Sequence, residues 1–310
     1  MAENSKIEWT DHTFNPWTGC TKVSPACDNC YAESWAKRSG LVQWGNHPRR
    51  RTSESYWQQP VKWDRIAKRD GIRRKVFCAS LADVFDNQVD PEWRNDLWGI
   101  IYGTPHLDWL LLTKRPQNIA GMLPNFGCAD WPFPNVWLGT TTENQQEADR
   151  RIPHLLRVPA KVRFLSCEPL LSEIDIRWAL SQNPLDIAAG FLTRGSFSPG
   201  LETLRGIDWV IAGGESGPNA RPSHPKWFRD LRDQCAAASA PFFFKQWGEF
   251  GPEGLPSQAW ILRSSDGSSD PDPLPNGIGR NRKEGYSWAF RVGKKAAGAI
   301  LDGVEHRGMP

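Results

Sequence analysis

The sequence predicts a parallel α/β protein, built as a full or partial TIM-like β/α barrel. Two observations predict it. Short apolar runs alternate with segments of helical period six or seven times. Most of these runs end, on their C-terminal side, in polar or charged residues: Ser80 with Asp83, Lys114 with Arg115, Glu143, Glu168, Glu215, and Lys245 with Gln246. In a β/α barrel those ends meet on one face, where ligands bind. The rival is a doubly wound sheet, which brings only a few strand ends together at its switch point.

The elements follow in order. Ile7 to Trp17 carries mixed β-formers and reads as a first strand with its outgoing loop, ending at Asn15-Pro16. After a cysteine-bearing loop, Tyr31 to Arg38 reads as a helix closed by Gly40. Within residues 41–75, a tryptophan-bearing insertion, Pro60 opens a helix that Gly71 stops. Val76 to Ser80 is the second strand, and Asp90-Pro91 begins a helix ended by Gly103. Trp109 to Thr113 is the third strand, with a helix expected from Lys114-Arg115-Pro116 through Met122. Val136 to Thr142 is the fourth strand. The helix after it places Ala148, Ile152 and Leu155 on one side and is expected to break at Pro153. Val162 to Ser166 is the fifth strand, followed by an irregular insertion at 172–207, rich in Ser, Gly and Pro. Trp209 to Ala212 and Phe242 to Phe244 are the sixth and seventh strands, with a helix from Pro225 to Ala238 between them. The expected organisation is a barrel over 1–248 and an irregular C-terminal extension over 249–310, packed on it.

Composition narrows the class. With 310 residues and 39% hydrophobic content, the chain can bury a large core. No apolar run approaches the roughly 18 residues of a membrane span. The polar start, Met1 to Lys6, lacks an apolar secretion segment, so a cytoplasmic location is expected. The net charge of +3 hides an asymmetry. Residues 37–75 hold twelve Lys or Arg against three acids, a net +9 that leaves −6 for the remainder. Cations interleaved with aromatic platforms suit nucleic acid, and Arg49, Arg50, Arg51, Trp57, Lys62, Arg65 and Arg69 are the candidates. The alternative is a solvated helix face over core tryptophans.

Cys20, Cys27 and Cys30 fall within eleven residues, spaced C-x6-C-x2-C. In a reducing compartment, clustered cysteines point to metal rather than disulfides. Three thiolates on one loop leave a coordination position open, as a catalytic centre needs. The other reading is a structural zinc knot with His12 or His47 as fourth ligand. Cys78, Cys128, Cys167 and Cys235 are scattered and read as mostly buried thiols.

At these residues the chain resembles the radical S-adenosylmethionine superfamily, and more closely a phage-associated family of three-cysteine-motif proteins. The resemblance spans nearly the whole chain. It rests on Trp17-Thr18-Gly19-Cys20, Cys27-Asp28-Asn29-Cys30-Tyr31-Ala32, Leu112-Thr113-Lys114-Arg115-Pro116, Ser166-Cys167-Glu168-Pro169, Gly213-Gly214-Glu215-Ser216-Gly217 and Phe243-Phe244-Lys245-Gln246-Trp247-Gly248. The superfamily spaces its cysteines C-x3-C-x2-C with an aromatic before the last; here the first gap is six and Asn29 stands in the aromatic's place, with Tyr31 next. The resemblance implies a 4Fe-4S cluster on the three cysteines, with S-adenosylmethionine bound to the fourth iron. It implies reductive cleavage to a 5′-deoxyadenosyl radical, hydrogen abstraction from substrate, and a reductase or flavodoxin-type electron donor.

On that reading Ser80 and Asp83 meet the cofactor. Among Glu143, Glu168 and Glu215, one accepts from its ribose or amine and another orients substrate, and Lys114, Arg115 and Lys245 meet its carboxylate or a substrate phosphate. Cys167 is a candidate hydrogen-atom donor. Each carboxylate has a plainer reading as a cap on the following helix. The expected activity is modification or repair of a nucleobase in DNA or RNA. The alternatives are a radical enzyme acting on a small molecule or peptide, and a non-enzymatic zinc-stabilised nucleic-acid-binding protein.

Overall fold

The computed structural model describes residues 5–124, 131–196, 199–253, 259–263, 269–271 and 286–310. Seven strands form one sheet in the order in which the chain makes them: His12–Phe14, Arg74–Cys78, Leu107–Thr113, Val136–Thr141, Val162–Cys167, Trp209–Gly213 and Phe242–Gln246. Neighbours run parallel, with His12 opposite Val76, Phe77 opposite Leu110, Leu110 opposite Trp137, and Ile211 opposite Phe243. The chain never reverses the strand order, so there is no switch point of the doubly wound kind. The first and seventh strands end the sheet, and Arg307 bridges the outer side of the seventh antiparallel, opposite Phe243. This is the topology of a partial, open β/α barrel.

The strands are buried on both faces, as in Val136–Thr141, Val162–Cys167 and Trp209–Gly213, where every residue is inside. Such strands read as continuous apolar runs because both faces of the sheet of a parallel β/α protein are covered. The helical stops fall where the sequence places them. Tyr31–Ser39 ends at Gly40 (φ 63°) and Gln59–Asp70 ends at Gly71 (φ 68°). Asp90 caps Pro91–Tyr102 by accepting from the Glu92 N–H at 2.9 Å.

Four expectations are corrected. After the third strand the chain makes two short 3-10 turns, Pro116–Asn118 and Ala120–Met122, in place of one helix. Asn118 reaches away to the Phe85 carbonyl and the Asn87 side chain, at 2.9 and 2.8 Å, and Gly121 weakens any continuation. The helix Gln145–Leu156 runs through Pro153 without a break, because Ile152, Leu155 and Leu156 are all held in the core. The described part of the 172–207 segment carries two α-helices. Arg177–Leu180 is followed by Pro184–Thr193, where Asn183 caps the Leu185 N–H at 3.0 Å and Ile187 and Phe191 turn inward. The described residues of the 249–310 extension include regular strands. Phe250–Gly251, Tyr286–Arg291, Ala259–Arg263 and Ser269–Pro271 form a four-stranded antiparallel sheet in that order, around a small core of Phe250, Leu262, Ala289 and Trp260.

The chain divides into two compact units, Met1–Thr140 with Arg151–Phe164, and Thr141–Arg150 with Leu165–Pro310. Residues 249–310 are therefore not a unit of their own. They join the second unit through Phe244 N–H to His306 O (2.9 Å) and Trp247 N–H to Gly298 O (3.0 Å). No described helix is long and apolar enough to cross a membrane.

Candidate functional site

The cysteine loop of the first unit is built on the turn that follows the second strand. Asn15, just past the first strand, donates from Nδ2 to Ser80 Oγ at 3.1 Å and accepts the Leu81 N–H at 2.8 Å. Trp17–Thr18 then pairs antiparallel with Arg50–Arg51. Gly19 takes φ +104° and donates its N–H to the Leu81 carbonyl at 3.1 Å. A Cβ here would lie 3.0 Å from Val42 Cγ2 and 3.2 Å from Arg49 Cδ, so both conformation and space call for glycine. Cys20 follows, Pro25–Cys27 is one 3-10 turn, and Cys30 is the residue before the helix Tyr31–Ser39. Lys22 pins the loop onto that helix, pairing with Glu33 at 3.1 Å and donating to the Asp28 carbonyl at 3.2 Å. The Tyr31 hydroxyl donates to the Ser80 carbonyl at 2.6 Å.

A buried ionic network underlies this loop. Asp83 Oδ1 accepts from the Thr113 hydroxyl at 2.7 Å and the Phe85 N–H at 2.9 Å. Its Oδ2 accepts from the Lys114 N–H and from Arg115, both at 3.1 Å. Arg115 also donates to Cys20 Sγ at 3.4 Å and to the Thr21 carbonyl at 3.0 Å. Arg49 closes the network, paired with Asp86 at 2.6 Å and donating to the Thr21 hydroxyl at 2.8 Å. Burial, and then the Asp83 carboxylate, push the Cys20 thiol up to about 11, while Arg115 pulls it down. Burial works against the Arg115 charge, but Asp83, Cys20 and Asp86 hold it protonated beyond the ordinary arginine range.

The residues expected to meet a cofactor thus divide by what they already hold. Ser80 and Asp83 are engaged as braces: Ser80 with Asn15, and Asp83 with four donors. The Lys114 side chain is half-buried and has no partner among the described residues. The remaining candidates belong to the second unit. Glu168 pairs with Lys245 at 3.0 Å and lies 3.4 Å from the Ser166 hydroxyl. Glu215 is held by Arg221, with Nη2 at 2.8 Å from Oε1 and Nε at 2.9 Å from Oε2. Glu143 is wholly buried, and its carbonyl accepts the Leu171 N–H at 2.7 Å. Cys167 is fully enclosed, 3.2 Å from the Thr142 hydroxyl, and burial pushes its thiol up to about 12. That is the setting of an inert packed thiol. Cys128 lies outside the described residues.

The basic insertion is only partly a surface. Arg49 is buried and paired, and Trp57 is buried under the Arg51 guanidinium at 4.0 Å. Arg51 pairs with Asp96 at 2.8 Å, Arg69 pairs with Asp70 at 2.9 Å, and Arg50 donates to the Leu41 carbonyl at 3.1 Å. The helix Gln59–Asp70 does present a free cationic stripe. Lys62, Arg65 and Lys68 are exposed, recur at intervals of three, and have no acidic partner among the described residues.

By donor chemistry, Cys20, Cys27 and Cys30 suit a thiolate-bound metal group: all three are free, and Cys20 and Cys30 are partly open to solvent. Among the described residues, no three His, Cys, Asp or Glu side chains converge to hold a metal ion. His12 is instead stacked on Trp63, with ring centroids 4.4 Å apart.

Residues 4–310 match the family described as "Protein of unknown function (DUF5131)". The chain belongs to the DUF5131 family. No curated protein and no solved structure matches it. In this DUF5131 chain the sequence pointed to the loop and the strand ends. It did not point to Asn15, Thr21 and Asp86, which brace them. The Asp83-Val84-Phe85-Asp86 spacing was the available signal, two carboxylates three apart in a run that is otherwise apolar.

Proposed function

We propose that this DUF5131 protein is an iron–sulfur enzyme of the radical S-adenosylmethionine type, acting on a nucleobase in DNA or RNA. One observation carries the reading. A loop bearing three free cysteines is fastened to the strand-end turn of a partial β/α barrel, the edge at which barrel enzymes place their chemistry. When bound, a 4Fe-4S cluster would supply the electron that cleaves S-adenosylmethionine and so generates the hydrogen-abstracting radical.

Cys20, Cys27 and Cys30 would hold that cluster, with ligation ordering the loop further, because metal binding and local folding are coupled. The Lys114 ammonium, without a partner among the described residues, would be a cation available for a carboxylate. Lys62, Arg65 and Lys68 supply the contacts for a phosphate backbone.

The test is anaerobic reconstitution with iron and sulfide, followed by assay of iron content and of 5′-deoxyadenosine formed from S-adenosylmethionine and dithionite. Brown protein that forms 5′-deoxyadenosine, and a Cys27→Ala variant that does neither, is the expected result. A colourless protein that keeps one zinc per chain would overturn the reading in favour of a zinc-stabilised binding module.

A further inference from the structure

Three adjacent strand ends of the second unit carry an ion pair whose bonding capacity is only partly used. The fifth, sixth and seventh strands are neighbours, so the outer two stand roughly 10 Å apart. Glu168, just past the fifth, and Lys245, in the seventh, nevertheless meet at 3.0 Å across the sixth. Two local features allow it. The sixth strand ends in Gly213, where a Cβ would stand 2.8 Å from Glu168 Oε1, so the carboxylate lies on bare backbone. In the seventh strand Phe244 pairs with Ala212 and Gln246 with Gly213, which leaves Lys245 as the extra residue of a bulge. A bulge re-aims its side chain, and Lys245 is the residue of that strand left half-buried. The Leu170 N–H donates to the Gly213 carbonyl at 3.0 Å and holds the Glu168 turn in place.

Beyond this pair, Glu168 has the distant Ser166 hydroxyl, at 3.4 Å, and Lys245 has no second acceptor among the described residues. A carboxylate offers about four acceptor sites and an ammonium three donors. The two side chains are 13% and 23% exposed, so the pair can be reached from outside yet is mostly withdrawn from water. Glu215, at the end of the sixth strand, differs: Arg221 occupies both its oxygens.

We propose that Glu168 and Lys245 bind the Watson–Crick edge of a guanine base. This rests on the nucleobase part of the reading above and needs no metal. A guanine edge presents an acceptor, O6, beside two donor groups, N1–H and N2–H2. The ammonium donates to O6, and the carboxylate takes the two N–H groups, one on each oxygen. Adenine offers the carboxylate a single donor group. Uracil and thymine set a carbonyl against its second oxygen. An enzyme that acts on a base reads this edge once the base has left the stack. Ionised donors and acceptors make the stronger bonds there, and so discriminate more sharply.

The experiment measures, by fluorescence anisotropy at one salt concentration, binding of the full chain to short labelled single strands. They are identical except for one central base: guanine, hypoxanthine or adenine. Phosphate contacts are common to the series, so the ratio of affinities isolates the base contact. Wild type is expected to hold the guanine strand about tenfold tighter than the adenine strand, with hypoxanthine, which lacks the N2 amine, between them. Glu168→Gln and Lys245→Gln are each expected to bring the guanine-to-adenine ratio within about twofold and to leave the adenine strand bound as before. A purely structural ion pair would lower the stability of both variants without moving that ratio. Wild type that binds the three strands equally, or folded variants that keep the wild-type ratio, overturns the proposal and leaves the nucleic-acid reading in place. If neither variant folds, competition on wild type decides: guanosine that displaces the guanine strand no better than adenosine does overturns it. Protein that binds no strand of the series removes the nucleic-acid reading and this proposal together.

Discussion

The Tyr31 hydroxyl donates to the Ser80 carbonyl at 2.6 Å, joining the residue after the third cysteine to the turn after the second strand. Replacing Tyr31 with Phe removes this bond while keeping the largely exposed ring. The expected cost is about 1 kcal/mol of global stability. Faster amide hydrogen exchange is expected across residues 20–30. Exchange there at the wild-type rate would show that the bond does not restrain the loop.

Gly19 holds φ +104° with Val42 and Arg49 close to where a Cβ would stand. Gly19→Ala should destabilise the chain by about 1–3 kcal/mol, measured by urea unfolding. The same substitution at Gly40, where nothing lies within 4 Å of the added atom, should cost less.

The Arg49–Asp86 pair is buried on both sides. Asp86→Ala strips the counter-charge from Arg49, and should cost about 3–5 kcal/mol. The double variant Arg49→Met/Asp86→Leu should recover most of it. Equal melting temperatures for the single and double variants would show that the loss is one of packing rather than charge.

His224 precedes the helix Pro225–Ala237 and accepts the Lys226 N–H through Nδ1 at 3.1 Å. Burial first, and then Lys226 and Arg229, push its pKa down to about 4 from the ordinary 6.5. The unfolded chain therefore binds the proton more readily between pH 6.5 and 4. Its contribution is complete above about 6.5 and is lost as pH falls through that window, about 3 kcal/mol in all. His224→Asn keeps an acceptor at the helix start and does not titrate, so its stability should fall less across the same range. Parallel curves for the two proteins would exclude the histidine.

If the cationic stripe meets nucleic acid, its three side chains set the salt dependence. Binding of a short oligonucleotide should weaken roughly 20- to 40-fold between 50 and 200 mM salt. Lys62→Gln/Arg65→Gln/Lys68→Gln should flatten that response. A flat response in the wild type would leave the stripe a solvated helix face.

Much of the fold was legible because its signals are local. Apolar runs marked the seven strands, and Gly40, Gly71 and Asp90-Pro91 marked helix boundaries through backbone conformation and capping. What stayed hidden was set by distant partners. Arg49 and Trp57 read as surface because charge and aromaticity are visible in a sequence, but Asp86 and the Arg51 stack that enclose them are not. The terminal sheet pairs Phe250–Gly251 with Tyr286–Arg291 across about 40 residues, which no short pattern reveals. The helix at Pro184 was masked by its Ser- and Gly-rich surroundings, although Asn183-Pro184 is a regular opening.

The two feet of the cysteine loop stand on adjacent residues: Gly19 on Leu81 and Tyr31 on Ser80. The closure is therefore fixed outside the arch, and the arch itself bears little of it. Doubling the length of such a span adds only about 0.6 kcal/mol. Inserting a few residues between Cys20 and Cys27 should therefore leave the footing undisturbed, and a cut backbone between Val23 and Asn29 should leave both stumps in place.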